Sequence, residues 1–228
     1  RLAATLAFLL AGFMFIGQLL LLPSSAPPQM KSPPAAAAAP AAPATNTAAP
    51  AVAPAPAGVT QWAIDHDQSR LTFETTQNDA PFTGTFAGFD GAIAFDPDRL
   101  VDSRVSITIK MAGATTGYDE RDKSIGDADW FAVDKFPEST FTADSFEKKG
   151  DNQYVAHGKL SLKGVTAPID LPFTLTIETG ANGQKTAKMQ GETDLQRLDY
   201  GIGTGQWADP HSVGTTVKVK VSLQAHSP

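Results

Sequence analysis

From Thr60 onward the chain alternates apolar and polar residues with a period of two, the pattern of strands that bury one face. The clearest run is the last. Val217, Val219, Val221 and Leu223 alternate with Thr216, Lys218, Lys220 and Ser222. Ile169, Leu171, Phe173, Leu175 and Ile177 do the same, as do Val105, Ile107, Ile109 and Met111. Weaker runs cover Leu71 to Thr75, Phe82 to Phe89, Ala92 to Phe95, Ser139 to Phe146, Tyr154 to Leu162 and Thr186 to Thr193. Phe89-Asp90-Gly91, Asp96-Pro97-Asp98, Lys149-Gly150-Asp151-Asn152, Lys163-Gly164 and Ala181-Asn182-Gly183 supply turn residues between them. No helix-length periodic segment intervenes between most runs, so the pattern predicts an antiparallel all-β fold, a barrel or a sandwich.

Two stretches break the alternation. Ala112 to Pro137 is too long for a plain hairpin loop, and its Asp119 to Ile125 portion is predicted as a short helical insertion. Gln196 to Gly214 is rich in glycine and aromatics. Both are suited to closing an apolar mouth.

The first 59 residues follow another pattern. Leu2 to Leu22 carries no charge, and a helix of that length spans roughly 31 Å, about a bilayer's hydrocarbon core. Residues 1–22 therefore read as one transmembrane helix or uncleaved signal anchor, with a cleaved export signal near Ser24-Ser25-Ala26 as the alternative. Residues 23–59 hold ten of the 17 prolines amid alanine, a composition that forms an extended tether rather than a core. That leaves 60–228 as one domain.

Composition narrows the chemistry. Arg1 and Lys31 are the only charged residues before Thr60, so the domain carries the other 16 of 18 basic residues against all 24 acidic ones. Such a surface disfavours nucleic acid, whose binding needs clustered cations. The absence of cysteine removes disulfides, thiolate metal sites and a cysteine nucleophile. His66, His157, His211 and His226 are scattered, and Asp65-His66-Asp67 would send neighbouring side chains to opposite strand faces, so no metal is expected. Gly201, Gly203 and Gly205 lack the Lys-Ser/Thr of a phosphate loop and read as turns at a rim. The acids from Asp119 to Asp134 form no defined catalytic pair and read as a solvated face. No nucleophile-base-orienter set is present. Arg121 and Arg197 stand out as loop anchors or, alternatively, partners of a ligand's polar head.

An ordered set of short motifs resembles the YceI-like family. It runs from Trp62-Ala-Ile-Asp65, Ser69 and Phe73 through Phe82-Thr-Gly84-Thr-Phe86 and Phe89-Asp90-Gly91 to Arg121-Asp122 and Asp129-Trp130-Phe131. It continues with Phe136-Pro137, Thr140-Phe141, Gly158-Lys-Leu160-Ser-Leu162-Lys-Gly164-Val-Thr166 and Arg197-Leu-Asp199-Tyr200-Gly201. The resemblance implies an exported bacterial domain with a lipocalin-like antiparallel β-barrel, preceded here by the transmembrane helix. It implies a binder rather than an enzyme, whose lumen holds an isoprenoid quinone, polyprenyl lipid or other apolar lipid, with no covalent cofactor. The expected location is the periplasm, anchored to the inner membrane of the bacterial cell envelope through residues 2–22.

Alternation nominates Phe73, Phe86, Ile107, Phe141, Leu160, Leu162, Phe173, Leu175, Met189 and Val219 as lumen residues, with a packed core as the plainer reading of each. Trp130, Phe131, Phe136, Tyr200 and Trp207 are mouth or lid candidates, and Arg121 and Arg197 head-group candidates. Two rival readings remain open. The domain handles quinone for a redox assembly with a b-type cytochrome membrane domain, upstream or in trans, or it is a ligand-free structural barrel.

Overall fold

The computed structural model describes residues 57–227; Leu2–Leu22 and the linker up to residue 56 lie outside them. In chain order the elements are β1 (Gln61–Ile64), β2 (Arg70–Gln77), β3 (Ala80–Phe86), β4 (Phe89–Ala94), β5 (Arg104–Lys110) and β6 (Ala114–Thr115). There follow α1 (Asp119–Ser124), β7 (Glu138–Lys148), β8 (Gln153–Leu162), β9 (Val165–Thr179), β10 (Lys185–Gln196) and β11 (Thr216–His226). Among the described residues no helix is long and apolar enough to cross a membrane.

Three pairs of segments are single strands interrupted once. β1 and β2 lie end to end along the same edge of β11, with Ile64 opposite Ala225 and Arg70 opposite Ser222. β3 and β4 run back along them, Thr72 facing Thr85 and Trp62 facing Ile93. β5 and β6 in turn follow β4 and β3. The result is eight long antiparallel strands in meander order, and the β1–β11 pairing closes the ring. Closure settles what alternation left open: the fold is a barrel, not a sandwich.

The predicted turn at Phe89-Asp90-Gly91 lies instead inside β4, and the strand breaks earlier, at Ala87 and Gly88. Gly91 serves close approach, since a Cβ there would sit 2.0 Å from the Ser106 carbonyl oxygen of β5. The predicted helix appears as α1, and the Lys163-Gly164 turn has both residues at positive φ, 49° and 78°.

β9 contains Pro168 and Pro172, residues that cannot donate to a central ladder. Its pairing with β10 accordingly ends at Phe173 opposite Gly191, and residues 165–172 pair with β8 alone.

The barrel has two distinct poles. At one lie the β7–β8 and β9–β10 turns, the start of β1 and the end of β11. Chain entry is at this pole, where Val59 is buried and the Phe95 N–H donates to the Thr60 carbonyl at 3.0 Å. At the opposite pole sit the β2–β3 and β8–β9 turns, α1 and the loop from residue 197 to 215.

Candidate functional site

The inward faces of the strands line a lumen with two adjoining chambers. The deeper, about 180 Å³, is walled by Val105, Ile107, Phe141, Leu171, Phe173, Leu175, Met189 and Val221 among others, and Thr193 is the one polar residue on it. The outer, about 400 Å³, opens among α1, the β2–β3 turn and Trp207. Leu71, Ile109, Leu160, Leu195 and Val219 line both, so the two chambers adjoin at this level. Adjoining volumes of this order suit a ligand-binding site.

Most of the nominated residues meet here. Ile107, Phe141, Phe173, Leu175 and Met189 face the deep chamber, and Leu160 and Val219 both chambers. Phe73, Phe86, Leu162, Trp130, Phe131, Trp207, Arg121 and Arg197 face the outer one. Two do not. The Phe136 ring packs over the β8–β9 turn at Gly164, and Tyr200 is buried with Met111, Phe131, Leu160, Leu162 and Ile202. Loop aromatics carry no periodicity to say which way they turn, so the sequence alone does not separate these two from residues that line the mouth. Burial, then the nearby Asp199, raises the Tyr200 phenol above its ordinary value.

The mouth is built from two loops clasped together. Trp130 and Trp207 meet with ring centres 5.7 Å apart, and the Gly203 N–H donates to the Asp129 carbonyl at 2.7 Å. Lys163 at the β8–β9 turn reaches both loops, its Nζ donating to the carbonyls of Gly201 (2.7 Å) and Asp129 (3.2 Å). Burial lowers its pKa, with Asp129 opposing. Gly201, Gly203 and Gly205 all have positive φ, the turn geometry expected of them.

The two arginines have different roles. Arg197 is buried and directs every donor to a backbone carbonyl: Nε to Gly214, Nη1 to Ile202 and Gly203, Nη2 to Trp207 and Val213. A guanidinium has five N–H groups, so none remains for a ligand head, and Arg197 is a loop anchor. Arg121, half-buried on α1, donates Nε to Gln77 Oε1 at 3.1 Å and lies 3.9 Å above the centre of the Phe82 ring. Among the described residues no acceptor takes its Nη atoms, which leaves them for a polar group in the mouth.

The acidic residues are accounted for structurally. Asp122 accepts from both hydroxyls of Thr115 and Thr116, at 2.5 and 2.6 Å, and from the Thr116 N–H at 2.7 Å. These bonds hold its carboxyl down at about 2. Asp65 accepts from the N–H groups of Asp67 and Gln68 as a turn residue. Among the described residues no cluster has the makings of a metal site.

Alternation missed the floor of the lumen. Trp62 sits in a short strand of four residues, and Phe95 ends the weak run from Ala92 but lies in the loop after β4, where the phase of that run no longer sets its direction. A conspicuous Trp and a Phe flanking a strand end were the available signals.

An eight-stranded up-and-down barrel with a largely apolar lumen is of the lipocalin-like class of small-ligand barrels. Within that class the chain belongs to the YceI-like family, whose domain pattern matches residues 62–225. The chain is 42% identical over 95 residues to UPF0312 protein plu2095 of Photorhabdus laumondii, covering 42% of this chain and 49% of that protein. It is 37% identical over 123 residues to Protein YceI of Escherichia coli O157:H7, covering 53% and 63%. The match thus spans roughly half to three-fifths of the length of these curated relatives. The crystal structure of Burkholderia cenocepacia BcnA superposes with TM-score 0.64 at 27% identity, over 71% of this chain and 98% of that one. A polyisoprenoid binding domain from Saccharophagus degradans, implicated in plant cell wall breakdown, shares the fold with TM-score 0.56 at 18% identity, over 75% and 99%.

Proposed function

We propose that this chain is a binding module, not an enzyme, which holds the tail of an isoprenoid lipid in the barrel lumen with its head at the mouth. The observation that carries the proposal is the pair of adjoining chambers inside the barrel, the deeper one apolar but for Thr193 and the outer one mixed, with polar residues gathered towards the mouth. Membership of a family whose fold is shared by a polyisoprenoid binding domain supports the same ligand class. The energetics are adequate. Burying about 20 methylene-sized groups at ~0.8 kcal/mol each gives a gross ~16 kcal/mol, against association costs of ~4–15 kcal/mol. A neutral or weakly polar head, a quinone ring or a prenyl alcohol, would meet the Arg121 Nη atoms beside Trp130 and Trp207. A site of action at the periplasmic side of the inner membrane is part of the proposal, and the uncharged run 2–22 with the Ala/Pro-rich sequence after it supports it.

The test is mass spectrometry of an organic extract of the full chain purified from a bacterium in a non-ionic detergent. One isoprenoid species at near-stoichiometric amount is the expected result. A lipid content no different from that of an unrelated detergent-purified protein, with none taken up from supplied polyprenols or quinones, overturns the proposal.

A further inference from the structure

The deep chamber ends on a floor whose construction bears on what the lumen accepts. Phe95 turns inward from the loop after β4 and is held on both sides of its peptide: its N–H donates to the Thr60 carbonyl at 3.0 Å, and its own carbonyl accepts from Trp62 Nε1 at 2.9 Å. Its ring meets those of Phe146, Tyr154 and Phe173 nearly edge to face, with centres 5.2, 5.6 and 5.9 Å away. Such a cluster is a dense, directional packing unit.

The wall narrows its side chains to receive that cluster. Ala143, Ala156, Ala187 and Ala225 surround it, each 5% exposed or less, where higher levels of the same strands carry Phe141, Leu160, Met189 and Leu223. The small collar and the ring fill one another, so the passage stops at a fixed depth. Interiors packed this way do not yield to a longer occupant without displacing whole side chains.

We propose that Phe95 is a specificity-determining residue that sets the longest isoprenoid tail the barrel takes in full. The inference rests on the lipid reading above and adds a length limit to it. A tail short of the floor gains binding energy with each added isoprene unit, because each buries more apolar surface. A tail that has reached Phe95 gains nothing from the next unit, which must buckle in the lumen or stay outside the mouth.

The experiment is native mass spectrometry of the full chain, released from a non-ionic detergent, competing a ladder of polyprenols that differ by single isoprene units. Wild type should show affinity rising with length and then levelling or falling. A benzyl group occupies somewhat more room than one isoprene unit, so Phe95→Ala should move that limit one unit longer. The first tail beyond the wild-type limit should gain at least about tenfold, about 1.4 kcal/mol. Ala187→Leu, which thickens the collar from the wall, should move the limit at least one unit shorter and decides the matter should Phe95→Ala fail to fold. A wild-type profile without a limit, or a limit that a folded variant leaves in place, overturns the length assignment while leaving the lipid reading intact. Wild type that takes up no polyprenol overturns the lipid reading itself.

Discussion

A guanidinium surrounded by backbone carbonyls is an organising centre, and Arg197 organises the whole loop from Ile202 to Gly214. Its five acceptors are spread over thirteen residues that have no ladder of their own. Burial pulls its pKa down, but an arginine starts so high that it stays charged. Replacing it by Met would leave four of those carbonyls without a donor, Gly214 alone keeping the Thr75 hydroxyl, at a cost of at least about 3 kcal/mol, since each unsatisfied buried group costs ~1–3 kcal/mol. Arg197→Lys should rescue little, because one ammonium cannot span five diverging acceptors. Urea unfolding should show a lower midpoint with an unchanged slope for both variants; a midpoint equal to wild type would contradict the anchor role. The sequence could nominate Arg197 only as one of two roles, because donor accounting requires the loop's path. Arg121 looked the same in sequence and differs only because its neighbours are Phe82 and Gln77 rather than carbonyls.

At the scale of elements, alternation identified the long strands because each has one face in the lumen and one in water, a contrast that period two records directly. It was blind where that contrast fails. β4 was cut by a glycine that serves strand contact, and the two-residue β6 is too short to have a phase. α1 was legible from its acidic, polar composition, yet what holds it was not. One tie to the barrel is Arg121, on Gln77 and Phe82, and the other is Asp122, bonded to Thr115 and Thr116 at the end of β6. The folded carboxyl titrates near 2 against an ordinary 3.8. A carboxyl depressed by folding stabilises fully above its unfolded value and loses that contribution as pH falls through the folded one. The Asp122 tie should therefore hold above about pH 4 and weaken between about pH 4 and 2. Hydrogen exchange of amides 118–125 should quicken in that window ahead of the β7–β9 amides, and Asp122→Ala should reproduce the change at neutral pH. Equal protection of α1 in wild type and variant would show that other contacts hold it.

The barrel is polar in the geometric sense, with the chain entering it at the Trp62 end and the outer chamber at the other. Its three tryptophans mark both ends: Trp62 at the floor, Trp130 and Trp207 at the mouth. This division gives the binding reading a direction, because an apolar tail belongs in the deep chamber and a polar head beside Arg121, where the lining first becomes polar. Brominated lipids quench indole fluorescence at short range, so placement of the bromine reports which end of the ligand reaches which tryptophan. In a Trp130→Phe/Trp207→Phe chain, whose remaining emission comes from Trp62, a polyprenol brominated at the tail end should quench strongly and one modified at the head should not. In a Trp62→Phe chain the order should reverse. Trp62 donates a hydrogen bond to Phe95, so thermal melting must first show that this variant keeps its floor. Quenching of Trp62 by the head-labelled lipid would mean that the ligand enters head first, and a polar group would then have to be accommodated among the alanine collar and the Phe95, Phe146 and Phe173 rings.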